Sequence, residues 1–416
     1  MGVCKALTRS SRKAGAGGGR LYPNRELCYN PDIGPTATLP ENSPNRGARS
    51  LPHLLVPAHA NQDTVFRRPL AILQQAIAER AFPAASVAVT CEGKLVCLKA
   101  FGRFTYDEDT PETTTASIFD LASVTKIIAT TVMAMVLYER GLLDLEMPLV
   151  SLLPEFKSDD RRRQQVTARM LLDHSSGLPA YEKLFLRTTD RDQLISAALA
   201  VPLKRDPGSK AEYSDIGFII LGVALERLAE DALDHFCRQE VFGPLGMSHT
   251  TFDPPSHWWA LIPPTADDRV IRQRIIQGEV QDENASVMEG VAGHAGLFAT
   301  AEDLSIFAQA MLEGGRPILR PETLALFTRR ESSPPGGSHA LGWDTPSSPS
   351  QSGKYFSARS FGHLGYTGTS LWIDPERHLS ISLLTNRTWP DCANQAIKQV
   401  RPALHDAVIE SLEGTR

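Results

Sequence analysis

The sequence predicts a mixed α+β fold: an antiparallel sheet built from both chain ends, with flanking helices and a helical lobe between them. Strand-like segments occur early, at 84–90 and 94–101, and return only late, at 370–373 and 378–384. The stretch between, from about 118 to 315, reads as mostly helical. Strands segregated from helices in this way suit an α+β layer architecture better than alternating βαβ units.

Taken in order, residues 67–80 carry Leu70, Leu73 and Ile77 on one face, an amphipathic helix stopped before Pro83. The two early strands flank Cys91-Glu92-Gly93 and form a hairpin. Residues 127–137 are apolar nearly all round, the mark of a buried helix. Residues 216–229 form a second apolar helix, and Thr300 to Asp303 is a capping box that opens a helix at 304–311. The Ser/Pro/Gly-rich segment 332–353 reads as a surface loop. The late strands meet at an Asp374-Pro375 turn, and a closing helix fits 392–412. The folded unit therefore spans 61–412, with its sheet region at 61–117 and 340–412 and its lobe at 118–315.

Composition excludes several classes. Of 416 residues, 42% are hydrophobic and 22% charged, as in ordinary globular proteins, which argues against a disordered, fibrous or membrane-spanning chain. No apolar run approaches the ~18 residues of a membrane span. The formal charge of −5 is uneven, because residues 1–60 hold 8 basic and 3 acidic side chains together with 7 Gly and 7 Pro. This segment is expected to be a flexible basic tail, with folding beginning near Asn61. The rest is acidic and offers no electrostatic footprint for nucleic acid. The six cysteines (4, 28, 91, 97, 237 and 392) include no C-x-x-C pair or zinc spacing, so free thiols and no metal or cofactor are expected. The first residues lack the apolar core of a secretory signal, and Ala6 replaces the Ser or Thr needed for myristoylation. The sequence as written implies the cytoplasm, or export if the true start differs. Oligomeric state is not legible.

The chemistry-bearing residues fall in three elements. Ser123 and Lys126 lie at the entrance to the buried helix, and an i, i+3 pair shares one face. Burial lowers a lysine pKa, and a helix N-terminus adds positive potential, so Ser123 has the surroundings of an activated nucleophile. The same S-x-x-K spacing at Ser10 and Lys13 lies in the Gly-rich tail and carries no role. Tyr213-Ser214-Asp215 opens the second apolar helix. Tyrosine and lysine are poor bases at ~10 and ~10.4, but a close pair can shift both. In Phe361-Gly362-His363-Leu364-Gly365-Tyr366-Thr367-Gly368 the glycines permit close backbone approach, an edge strand would offer N–H groups, and His363 supplies a switchable charge. His174 and His294 read as structural hydrogen-bonding residues. Asp282 and Glu283 are adjacent, so their side chains diverge and form no glycosidase dyad. The absence of Gly-x-Ser-x-Gly disfavours an α/β-hydrolase elbow.

The order S-x-x-K, Y-S-D, H-L-G resembles the serine β-lactamase and penicillin-binding superfamily, most nearly its class C branch with its DD-peptidase and esterase relatives. Phe119 to Ala122, Leu171 to Pro179, Gly293 to Leu297 and Leu384 to Arg387 extend the likeness over roughly 65–390. The resemblance implies a β-lactamase/transpeptidase-like fold and a metal-free serine hydrolase acting on a small ester, amide or peptide. It implies Ser123 as acylated nucleophile, Lys126 with Tyr213 as proton-transfer pair, and the backbone N–H groups of Ser123 and Tyr366 as oxyanion hole. Asp215, His363, Gly365 and Asn386 are expected to contact substrate. Asp215 stands where the family has asparagine, His363 where it has lysine, and Leu364 where it has threonine. All three changes weaken recognition of an anionic amide, so ester or small-amide hydrolysis is expected ahead of β-lactamase or D-Ala-D-Ala carboxypeptidase activity. A non-hydrolytic binder of a peptidoglycan-like or acyl ligand is the alternative of another class.

Overall fold

Strands from the two ends of the chain form the two halves of one sheet and meet at its centre. The computed structural model describes residues 55–414. Its strands are β1 (Val56–Pro57), β2 (Ala84–Cys91), β3 (Lys94–Gly102), β4 (Phe119–Asp120), β5 (Ala266–Asp268), β6 (Arg274–Ile276), β7 (Phe298–Ala299), β8 (Phe361–Leu364), β9 (Ser370–Asp374) and β10 (Leu379–Thr385). The six-stranded sheet runs β1-β3-β2-β10-β9-β8. All its pairings are antiparallel except the parallel β1–β3 pair. The centre of the sheet joins β10 to β2 with Ser382 opposite Ala88, so neither chain end makes a sheet alone.

The early hairpin closes through Glu92 (φ 51°) and Gly93 (φ 74°). Two successive positive-φ residues match the twist of the flanking strands. Alternation along β2 sends Ala84 and Ala88 to one face, and Ala85, Val87 and Val89 to the other. On the second face the helices Arg67–Ala78 and Ile397–Glu413 pack together over the sheet and bury Phe66, Leu73, Trp372 and Leu404. On the first face the helix Ala301–Leu312 lies against β2, β9 and β10, and the helical lobe continues from it. The lobe is centred on the segment 122–139, whose residues Ile127, Ile128, Met133 and Leu137 are fully buried. Each such side chain contributes about 1.5–3 kcal/mol by leaving water.

Several boundaries differ from expectation. Most of the expected tail lies outside the described residues, but its last part is folded: Val56 and Pro57 pair with Lys94 and Leu95, and Leu55 joins the core. The lobe extends past 315, because the helix Pro321–Thr328 packs Phe327 on Tyr138 with ring centroids 5.8 Å apart. It also holds two small strand pairs, β4–β7 and β5–β6. The closing helix begins at Ile397 rather than 392, because the Asp391 and Asn394 side chains accept from the Ala393 and Ala396 N–H groups and hold 391–396 in turns. The helical segment Ala122–Glu139 is long and apolar enough to cross a membrane, but 83% of it is buried inside this fold.

Candidate active site

The chain reaches Ser123 through a strained turn. β4 pairs with β7, and the Leu121 N–H donates to the Leu297 carbonyl at 2.9 Å. Asp120 is buried, with its carboxylate accepting from the Ala122 N–H at 2.8 Å and the Gln281 N–H at 2.7 Å. Burial pushes the Asp120 carboxyl up to about 6. Ala122 has φ 46°, a left-handed conformation that costs a non-glycine residue about 1–2 kcal/mol. The chain then winds through a 3-10 turn (Ala122–Val124), a π-helical turn (Lys126–Thr130) and the α-helix Thr131–Glu139. Ser123 and Lys126 therefore share the first turn of a buried helix.

Lys126 is fully buried, and its Nζ donates to Ser123 Oγ at 2.9 Å, Asp215 Oδ1 at 2.7 Å and the His294 carbonyl at 2.8 Å. Three acceptors match the three protons of an ammonium. Burial pulls the Lys126 pKa below the ordinary lysine value, while the adjoining Asp215 carboxylate pulls it up. Tyr213 is brought in from the lobe by the helix Asp215–Ala229, whose N-cap Ser214 accepts from the Gly217 N–H at 2.9 Å. Its hydroxyl lies 2.6 Å from Ser123 Oγ and donates to Asp215 Oδ1 at 2.9 Å. Since the phenol proton goes to Asp215, Tyr213 Oη accepts from Ser123. Burial first, then the Asp215 charge, raises Tyr213 well above the ordinary phenol value, so it rests protonated. Asp215 is thus turned into the cluster, where it holds the lysine and the phenol. As the first residue of its helix it lies beside both groups, and it also lines the cavity over Ser123.

The third element forms the opposite wall. β8, a strand that the sequence did not mark, is the edge strand. Thr367 Oγ1 donates to the Asp120 carbonyl at 2.8 Å, and Thr369 Oγ1 to the Leu121 carbonyl at 3.0 Å. These bonds tie the turn after β8 to the turn before Ser123. A Cβ at Gly365 would meet Thr369 Oγ1 at 1.8 Å and the Leu121 carbonyl at 2.5 Å, so this approach requires glycine. Tyr366 follows, with its ring half exposed to the cavity and Arg387 stacked on it at 4.4 Å.

Two expectations about this wall are overturned. His363 is not a switchable cation. It is buried, its Nδ1 donates to the Leu364 carbonyl at 2.8 Å, and burial followed by repulsion from Lys126 pushes its pKa down to about 3. The ring is neutral at physiological pH and presents Nε2 as an acceptor. Asn386 does not contact substrate. Its amide accepts from the Ala84 N–H at 3.1 Å and donates to the Phe104 and Pro264 carbonyls at 2.9 Å, so three main-chain groups consume it.

A cavity of about 680 Å³ opens over Ser123, Lys126's partners Tyr213 and Asp215, His363 and Tyr366. Some of its walls were not read as site residues. Asp282 caps the helix Glu283–Val287 through the Ala285 N–H and bonds His294 Nε2 at 2.8 Å, which positions the carbonyl that holds Lys126. The Asp-Glu-Asn cap was its only sequence signal. Glu283 turns instead to the Tyr181 hydroxyl at 3.5 Å, so the two acids have separate partners. His174 Nδ1 accepts from the Ser214 N–H at 3.1 Å and its ring packs 4.9 Å from that of Tyr213. Among the described residues no group of three or more His, Cys, Asp or Glu side chains is placed to hold a metal.

The family model described as Beta-lactamase matches residues 70–404. The chain belongs to the beta-lactamase family. Two curated members are similar over most of its length. The N-acetylmuramyl-L-alanine amidase of Bacillus subtilis (strain 168) is 33% identical over 343 residues, covering 74% of this chain and 77% of that protein. The putative D-alanyl-D-alanine carboxypeptidase of Escherichia coli (strain K12) is 32% identical over 343 residues, covering 74% and 79%. Solved structures share the beta-lactamase-family fold. EstCE1, a hydrolase with promiscuous acyltransferase activity, superimposes with a TM-score of 0.69 at 21% identity, covering 84% of this chain and 100% of its own. A penicillin-binding protein homologue from Caulobacter crescentus gives 0.67 at 20% identity, covering 84% and 98%.

Proposed function

We propose that the protein is a serine hydrolase that cleaves an ester or amide through an acyl-enzyme on Ser123. The observation that carries this reading is the closed contact of Ser123 Oγ with both Tyr213 Oη at 2.6 Å and Lys126 Nζ at 2.9 Å. As Ser123 Oγ bonds to the acyl carbon, its proton passes to Tyr213 Oη and the phenol proton passes to Asp215. The Lys126 ammonium stabilises the negative charge moving along this chain. The same proton then returns through Tyr213 to the leaving alkoxide or amine, and water repeats the cycle to release the acid. The backbone N–H groups of Ser123 and Tyr366 serve as oxyanion donors, each worth about 10²–10³ in rate.

Several features support ester or small-amide substrates over β-lactams. A neutral His363 and an apolar Leu364 leave the edge strand without the permanent cation and hydroxyl that would hold a carboxylate beside the reacting carbonyl. The names of the amidase and the putative carboxypeptidase point to amide bonds of cell-wall peptides as one class to test. A pure binder would need no proton relay, yet Ser123, Lys126, Tyr213 and Asp215 are all hydrogen-bonded in one chain.

Intact-mass measurement after treatment with a fluorophosphonate should show a single adduct on the wild type and none on Ser123→Ala. A wild type without an adduct, or an adduct that survives Ser123→Ala, would refute the proposal. A panel of aryl esters, a chromogenic cephalosporin and a D-Ala-D-Ala peptide then ranks the substrates, and the cephalosporin should be the poorer by orders of magnitude against the esters.

A further inference from the structure

We propose that Arg387 and Arg401 form an anion subsite at the Tyr366 end of the cleft, and that the substrate carries a carboxylate there. The inference rests on the hydrolase reading and names the substrate class of that same site.

Both arginines line the cavity and both are buried, at 5% and 4% exposure. Among the described residues neither guanidinium has a carboxylate partner. Arg387 Nε donates to the Tyr366 carbonyl at 2.6 Å, and its Nη1 to the Cys392 and Asn394 carbonyls at 3.2 and 3.3 Å. Arg401 Nη2 donates to the Thr369 carbonyl at 3.2 Å and Nη1 to Gln351 Oε1 at 3.3 Å, while its buried Nε has no partner. Neutral carbonyls orient these groups but leave their charge uncompensated, and a buried charge without a counterion is costly. Desolvation first, then repulsion from Arg387, pushes the Arg401 pKa down to about 9. An anion between them would restore the missing partner.

The charge layout of the cavity gives the ligand a direction. Lys398, one residue into the last helix, lines the same end and is exposed. The acids Asp215, Asp282, Glu283 and Asp344 line the cavity as well, with Asp215 paired with Lys126 and Asp282 with His294. A carboxylate is repelled by these acids and drawn to the arginines. Guanidinium groups suit carboxylates through their planar fork. Because Arg387 also holds the Tyr366 carbonyl and stacks on its ring, an anion bound here would sit next to the proposed oxyanion donor.

The test compares kcat/KM for phenyl acetate, 3-carboxyphenyl acetate (anion on the leaving group) and phenyl hydrogen glutarate (anion on the acyl part). In the wild type one anionic ester should exceed phenyl acetate tenfold or more. Arg401→Gln should reduce that ratio at least tenfold, and Arg401→Lys should keep most of it. No anionic preference in the wild type, or the same ratio in Arg401→Gln, overturns the subsite. If Arg401→Gln does not fold, Lys398→Glu reads the same ratio from the solvent side, where a several-fold drop supports the subsite and an unchanged ratio overturns it. Failure of the hydrolase reading looks different: the wild type turns over none of the three esters, or Ser123→Ala retains the wild-type rate on phenyl acetate. Glutarate then still reads the subsite, by raising the melting temperature of the wild type and not of Arg401→Gln, and the absence of any such shift overturns it.

Discussion

The two walls of the cleft handle charge in opposite ways. On the lobe side, Ser123, Lys126, Tyr213 and Asp215 form a buried network in which each donor has an acceptor within 2.9 Å. On the edge-strand side, the ionisable side chain of β8, His363, has its pKa pushed down to about 3 and stays neutral. Burial is similar on both sides; the difference is the counterion. Asp215 allows Lys126 to keep a charge in the interior, whereas His363 faces another cation and a main-chain carbonyl. The same desolvation therefore goes with a charged, hydrogen-bonded cluster on one wall and a neutral acceptor on the other.

Removing members of the relay should have the largest effects. Ser123→Ala is expected to lower kcat for ester hydrolysis by about 10⁴–10⁶-fold, measured under saturating substrate. Tyr213→Phe removes the first proton acceptor and should cost about 10²–10⁴ in kcat/KM. A loss below tenfold would take Tyr213 out of the relay. Asp215→Asn removes the final proton acceptor together with the counterion, with an expected loss of about 10²–10⁴-fold in kcat/KM. Asp215 raises the pKa of both Lys126 and Tyr213, so its removal lowers both. The alkaline limb of the kcat/KM profile should therefore move to lower pH, and a limb that stays in place or moves up contradicts the assignment.

The neutral histidines sharpen the comparison through stability. His363 and His405 are each held near about 3, chiefly by burial, and His174 well below its ordinary value. Each contributes fully above the unfolded value of ~6.5, and loses about 1.4 kcal/mol per pH unit as pH falls toward the folded value, because only the unfolded chain takes up the proton. Urea unfolding should show lower stability at pH 5 than at pH 7, and His405→Gln, remote from Ser123, should flatten the slope. The smallest effect belongs to the edge strand. Between about pH 5 and 8, kcat/KM for neutral and anionic esters should show no step near 6.5 assignable to His363. A step that disappears in His363→Gln would restore the switchable cation.

Local chemistry explains which parts were legible. The i, i+3 pair of Ser123 and Lys126, the Ser214 cap and the hairpin at Glu92-Gly93 depend on neighbours a few residues away, and helix and turn geometry fixes those contacts. Asp215 was legible as a residue of the site but not in its direction, which is set where its helix enters beside Lys126. Asn386 looked equally available, yet Ala84, Phe104 and Pro264, distant in sequence, take up its amide. The left-handed Ala122 carries no residue signature, because alanine gives no hint of positive φ.

The sequence by itself determined the α+β layering and the order of the three motifs, since periodicity encodes which faces are buried, and the resemblance those motifs carry pointed to Ser123, Lys126 and Tyr213 as the proposed nucleophile and its partners. Tertiary structure decided charge. Whether Asp215 serves the relay, whether His363 can ionise, and whether Arg387 and Arg401 lack a counterion all depend on which distant groups surround them after folding. Desolvation and pairing, the two quantities that set a buried ionisation state, belong to the packed chain and not to any segment of it.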